Sequence, residues 1–348
     1  MLSMRFAVVL FLVVLSLNLL CHFWFFQLVD DPKVAHNHTQ CQAAFILFGL
    51  PKSFPLVWRA YRQNLIDHNP HIQFDVSMHL YSDIKTLTNP KNGEINVEME
   101  SVATLLHTIG QGNDVLVQTR QADFDARNLT WLGEKHLMHF GPGWTLNTLK
   151  NMFRQGNSML QSYQHALQSN KEYRVFVFAR PDTFLADKVD IHCNIAENEL
   201  IVPSWQVHDD DENNDRFAVA GPAAARIYVQ AKAQGFFHYV KGGQEGDLEK
   251  GANFWNSVEL WVQWFSSGFS SKKVDVSTQT GKGDWNSEHL LWRWLKENAV
   301  QVTKGPRYWA PLLRIRGGGA VNWRDTRTFP GGWLKFRMAV LAHSRLRE

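Results

Sequence analysis

Apolar residues divide the chain into two unlike parts. Phe6 to Val29 (FAVVLFLVVLSLNLLCHFWFFQLV) contains no Asp, Glu, Lys or Arg. About 20 apolar residues suffice for a helix to cross a bilayer. Beyond this stretch the apolar positions fall into short runs and periodic stripes. Ala43 to Phe48 is a continuous apolar run, the pattern of a parallel strand covered on both faces. Leu56, Val57, Ala60, Tyr61 and Leu65 recur at helical spacing, behind the capping residue Ser53 and with Pro55 in the first turn. His68-Asn69-Pro70 ends that helix, and Phe74 to Tyr81 reads as a second strand. The body therefore opens as strand, helix, strand, which favours the α/β class.

The same reading continues along the chain. Residues 83–143 mix short apolar and polar stretches and predict only a short strand near Val115-Leu116-Val117. Asn147 to Gln168 predicts a long helix, with Leu149, Met152, Phe153, Leu160, Tyr163 and Leu167 on one side. Tyr173 to Ala179 is the strongest strand pattern and stops at Arg180-Pro181-Asp182. Strands at Leu200–Pro203 and Phe217–Ala220 flank an acidic stretch, His208 to Asp215. A helix near Ala223 to Gln234 follows, then a loop from Gly242 to Gly251 and a helix over Ser287 to Asn298. The tail beyond Arg324 is basic, and no internal repeat is visible.

Composition changes this picture little. The 348 residues are 45% hydrophobic and 20% charged, ordinary for a globular chain. A formal net charge of +3 is too balanced for a chain whose main partner is nucleic acid, so none is expected. Three Cys exclude a disulfide-rich scaffold. Nine of the 14 Trp lie between Trp255 and Trp333. Most of these are expected in the core, and a few offer an apolar face on which a sugar ring can stack.

The first segment reads as an uncleaved signal anchor. Its apolar stretch outruns the roughly 7–15 residues of a signal peptide, and no small-residue cleavage site follows. Arg5 precedes the span, whereas Asp30 and Asp31 follow it, which places the N-terminus in the cytosol. The expected plan is a cytosolic tail (1–5), a transmembrane anchor (6–29), a lumenal stem (30–42) and one α/β domain (43–348). Asn37-His38-Thr39 and Asn128-Leu129-Thr130 are glycosylation sequons, so Asn37 and Asn128 are expected acceptors in a lumenal body. Cys41 and Cys193, the two thiols outside the span, either pair in an oxidising lumen or stay as two buried free thiols.

Four places carry candidate chemistry. An open parallel sheet binds ligands beyond the carboxyl ends of its strands. There Asp182 can hold Mg²⁺ or Mn²⁺ against a diphosphate, and Arg180 can meet phosphate through its planar fork. The competing reading is a strand-end turn closed by a local Arg180–Asp182 pair. Asp209 to Glu212 reads as a solvated charge run, with Asp209-x-Asp211 as a possible metal pair. Asp215 instead abuts a buried strand, with Arg216 beside it. Glu288 is a candidate general base; the competing reading is an acidic residue favoured by the helix dipole. Gly49-Leu50-Pro51-Lys52-Ser53 runs into a helix N-terminus, a ready anion site, but lacks the phosphate-loop spacing.

Taken together, FGLPKSF (48–54), DVSMHLY (75–81), NMFRQGNSM (151–159), YRVFVFARPD (173–182), NDRFAVAGP (214–222), SEHLL (287–291) and RIRGGG (314–319) resemble a family of GT-A-type nucleotide-sugar glycosyltransferases of algae and other microbial eukaryotes. The resemblance spans about residues 43–318 and implies a GT-A-like (Rossmann-like) catalytic domain over 43–348, with a mostly parallel sheet flanked by helices. It implies a nucleotide-sugar donor, bound by Gly49, Pro51, Lys52, Arg180, Asp182, Asp215 and Arg216. Asp182 would be the metal ligand and Glu288 the acceptor-activating base. A glycan or glycoconjugate would be the acceptor, and the Golgi or ER lumen the location. Where the class carries D-x-D, this chain has Arg180-Pro181-Asp182, so the divalent cation loses one expected carboxylate. Two other functions remain: a membrane-anchored sulfotransferase, whose loop would need more hydroxyls after Lys52, and a non-catalytic carbohydrate-binding relative.

Overall fold

The computed structural model describes residues 41–89, 94–110, 114–140, 144–204, 214–242, 287–305 and 310–315, all within the unit Gln40–Glu348. The anchor and stem predicted at 1–40, the core of the acidic stretch at 205–213 and most of the Trp-rich region at 243–286 lie outside them. Among the described residues, no helix is long and apolar enough to cross a membrane.

In chain order the elements are β1 (Cys41–Leu47), α1 (Phe54–Tyr61), β2 (Ile72–Tyr81), β3 (Thr86–Asn89), β4 (Glu94–Glu98), α2 (Val102–Ile109), β5 (Asp114–Thr119), α3 (Gln121–Asn128) and α4 (Leu146–Leu167). Then follow β6 (Val175–Ala179), β7 (Thr183–Leu185), β8 (Glu199–Val202), β9 (Phe217–Ala220), α5 (Pro222–Gln230), α6 (Phe236–Gly242), α7 (Ser287–Glu297), β10 (Gln301–Lys304) and β11 (Leu312–Arg314). A π-helical turn, Ala231–Gly235, joins α5 to α6.

Seven strands form one sheet in the order β10-β8-β9-β6-β1-β2-β5. Its neighbours run parallel except at β9, which is antiparallel to both β6 and β8. The apolar run of β1 covers both faces by alternation. Ala44 and Ile46 join the core beneath α4 and α5, while Ala43, Phe45 and Leu47 join the core beneath α1. β3 pairs with β4, and β7 with β11, as separate two-stranded ribbons.

Serines attach α4 to the sheet. Ser162 Oγ donates to Leu47 O at 3.0 Å, and Ser77 Oγ donates to Ser162 O at 2.8 Å. Ser158 Oγ donates to His79 O at 3.2 Å and accepts from the Gly49 N–H at 3.1 Å. The middle of this long helix, from Gln155 to Ser162, thus lies at the end of the sheet where β1 finishes. At the other end, Cys41 of β1 and Cys193 are joined as a disulfide, Cα to Cα 6.2 Å, which closes a loop across 152 positions.

Ser53 does not cap α1 as its position in the sequence suggests. It adopts a left-handed conformation (φ 52°) and its side chain makes no capping bond. Its carbonyl instead accepts from the Leu56 and Val57 N–H groups. Pro55 does sit in the first turn.

His79, on β2, is fully buried edge-on to Tyr81, and neither ring nitrogen has a hydrogen-bond partner among the described residues. Burial disfavours its protonated form and pushes its pKa down to about 4. An unfolded histidine takes up its proton near pH 6.5, before the folded one does. Stability is therefore expected to fall as the pH drops from about 6.5 to about 4. Urea titrations across that window check this: His79→Leu should flatten the slope, and an unchanged slope would contradict it.

Candidate functional site

The site lies at the carboxyl ends of β1 and β6. Because β9 is antiparallel to β6, its N-terminal residues reach the same edge. Backbone bonds stitch the three loops together: Phe48 N–H to Ala179 O at 3.1 Å, and Arg180 N–H to Arg216 O at 3.2 Å. Gly49, Arg180-Pro181-Asp182 and Asp215-Arg216 are therefore neighbours. Gly49 (φ 109°) turns the chain beside Gln155 and Pro181.

Arg180 and Asp182 form the local pair that the sequence offered as one reading. Arg180 Nε and Nη2 each donate at 2.8 Å, one to each oxygen of Asp182. Burial alone would raise the Asp182 pKa, but Arg180, with Lys52 and Arg314, holds it at about 2. Asp182 O also accepts from the Ile315 N–H at 2.7 Å, and Tyr61 donates to Arg180 O at 3.2 Å. The triplet is thus fixed on three sides.

Lys52 is buried with Glu94, its Nζ donating to both carboxylate oxygens at 3.0 and 3.1 Å. Its ammonium is committed to the start of β4, and Pro51 beside it is also buried.

Asp215 pairs with Lys232 of the π-helical turn. Lys232 Nζ donates to Asp215 Oδ2 at 2.6 Å and to Asp215 O at 3.3 Å. The two side chains are only 7% and 1% exposed. Burial would raise the Asp215 pKa, yet Lys232, Arg180 and Arg216 hold it well below the usual carboxylate range. Ser287 Oγ donates to the same Oδ2 at 3.3 Å, which ties the first residue of α7 to β9. Glu288, the next residue, is close enough to favour the charged form of Lys232. The structure thus brings Arg180, Asp182, Asp215, Arg216 and Glu288 to one edge.

Two glycines set the depth of the π-helical turn. A β-carbon on Gly156 of α4 would stand 2.1 Å from Lys232 O, and one on Gly235 would stand 2.7 Å from the Trp294 ring of α7. π-turns inside helices are frequent at functional sites, because they re-aim one residue without ending the helix. Here the residue carried is Lys232.

Lys232 and Glu94 were not among the residues singled out from the sequence, whereas Ser287 and Arg314 stood in the motifs SEHLL and RIRGGG without a role of their own. Lys232 left only a faint signal, as one of two cations, with Arg226, in the largely apolar stretch Ala223–Gln234. Lys52–Glu94 left none, since the partners meet only through the β3–β4 ribbon.

Of the remaining candidates, Asn128 ends α3, its Nδ2 donating to Phe124 O at 2.9 Å. Asn37 lies outside the described residues. No group of three or more His, Cys, Asp or Glu among the described residues is placed to hold a metal. Both Asp182 oxygens face Arg180, so the described donor set does not fit a divalent cation.

No family model matches the chain, and no curated protein matches it. Among solved structures, it is similar to the galactosyltransferase LgtC in complex with donor and acceptor sugar analogues: TM-score 0.29, 9% identity, 76% of this chain and 73% of that one. It is also similar to the apo-form glycosyltransferase GlyE of Streptococcus pneumoniae TIGR4: TM-score 0.26, 8% identity, 77% of this chain and 66% of that one, just under two thirds of its length.

Gly156→Ala is expected to force α4 away from the carbonyl of Lys232, since backbone cannot rotate aside. Overpacking of this kind costs about 1–3 kcal/mol. Thermal unfolding reads it as a lowered Tm; an unchanged Tm would contradict the close approach.

Proposed function

We propose that the chain is a glycosyltransferase that moves a sugar from a nucleotide-sugar donor to a hydroxyl of a glycan, glycoprotein or glycolipid. The observation that carries this reading is the convergence of Arg180-Pro181-Asp182, Asp215-Arg216 and Glu288 at the carboxyl edge of a mostly parallel sheet. These are segments on which the resemblance to GT-A-type transferases rests. Arg180 and Arg216 would face the donor diphosphate, with the Gly49 loop against the nucleotide. The acceptor oxygen attacks the anomeric carbon, and Glu288 takes its proton. The bond from that carbon to the diphosphate oxygen breaks, and the guanidinium groups stabilise the charge that develops there. No step is routed through a metal.

The same proposal places the chain in the Golgi or ER membrane with a single span at 6–29 and the body in the lumen. The flanking charges, the sequons at Asn37 and Asn128 and the Cys41–Cys193 disulfide support it, since disulfides persist in oxidising compartments.

Thermal unfolding of the full chain against a panel of nucleotide sugars and the sulfate donor, with and without Mn²⁺, tests this. A ligand at 100 times its Kd adds about 2.7 kcal/mol. One nucleotide sugar should raise Tm, and Arg180→Ala should weaken that binding on the order of tenfold, as the loss of charge-assisted bonds does. Stabilisation by none of them, or by the sulfate donor alone, would overturn the reading.

A further inference from the structure

Lys232 has no part in the chemistry above, yet at 1% exposure it is the most deeply buried charge among the described residues. Its ammonium lies 5.8 and 5.9 Å from the ring centroids of Phe48 and Phe236. Among the described residues its hydrogen bonds run to Asp215. A buried carboxylate with that counter-charge stays ionised, and an ionised oxygen is the stronger acceptor for a hydroxyl. The hydroxyl it receives belongs to Ser287, the first residue of α7.

The rest of α7 is held differently. Leu290, Leu291 and Leu295 are buried, and Trp294 covers Gly235. Those apolar contacts fix the second and third turns. The first turn, whose N–H groups have no helical partners, frays unless it is tethered.

We propose that Lys232 is a positioning residue: through Asp215 and Ser287 it fixes the first turn of α7, and with it the Glu288 carboxylate, at the edge where the acceptor hydroxyl is activated. The role assigned to Glu288 rests on the transferase reading; the latch itself does not. Without the ammonium, Arg180 and Arg216 still favour the charge of Asp215, but the donor that orients its Oδ2 is gone. Ser287 then loses its anchor, and Glu288 loses its fixed distance from the acceptor.

Ser287→Ala cuts the last link while leaving the ion pair and the core in place. Hydrogen exchange on the full chain should show the amides of residues 291 and 292, which donate to the carbonyls of the first turn, exchanging roughly tenfold faster, as the loss of one bond to a charged group implies. Those of β1 and β6 should be unchanged. With the donor identified by thermal shift, kcat should fall while the donor KM and the donor-induced Tm shift hold. Ser287→Thr, which keeps the hydroxyl, should restore both readings. Unchanged exchange at residues 291 and 292 in Ser287→Ala, or a wild-type kcat, would overturn the latch. The exchange measurement needs no substrate, so it decides the latch even if no nucleotide sugar binds and the transferase reading falls.

Discussion

An ammonium taken out of water must meet an anion or give up its proton. Lys232 meets Asp215, and the architecture of the edge follows from that pairing. The lysine sits on a π-helical turn, which packs against α4 at Gly156 and against α7 at Gly235. The aspartate opens β9, the antiparallel strand that brings its N-terminus beside the carboxyl ends of β1 and β6. One ion pair therefore joins the central sheet to three helical segments. Breaking such a pair on one side costs about 3–5 kcal/mol, because the surviving charge stays buried. A hydrophobic pair of similar volume would be as stable or more so. The pair's value lies in orientation, since it holds a carboxylate, a serine and a helix start in register.

The same logic governs the charge of the edge. Lys52, Arg180, Arg216, Lys232 and Arg314 are interleaved with Glu94, Asp182, Asp215 and Glu288. Among the described residues, each of these carboxylates has a cation near it. Arg180 stands nearest to the surface of the buried pairs, its side chain 24% exposed, with its backbone pinned by Arg216 and Tyr61. A guanidinium fixed by Asp182 is pre-oriented, and less freedom is lost when it meets phosphate.

What the sequence reveals follows from local periodicity. β1, β2, β6 and α4 appear in it because each buries a face along most of its length, and their observed ends lie close to those expected. The β3–β4 ribbon does not, since its strands carry only Leu87 in one and Ile95 and Val97 in the other, too few apolar positions to establish a period. α2 and α3, at 8 residues each, are too short to establish a period. At the site, Arg180, Asp182 and Asp215 were visible as polar residues where apolar strands begin or stop. Glu94 was not, nor was the pairing of Ser287 with Asp215, because partners at distant positions leave no mark on spacing. Ser53 misleads for a different reason: its residue type suits a cap, but its backbone is left-handed rather than extended and its side chain makes no capping bond.

The central claim is that Lys232 and Asp215 act as one charged unit. A double-mutant cycle tests it most directly, with unfolding free energies measured for Lys232→Met, Asp215→Leu and the double variant. The account predicts that each single change costs about 3–5 kcal/mol and that the double variant recovers most of the loss, since neither charge is then left unpaired. Additive losses, with the double variant the least stable of the three, would contradict it.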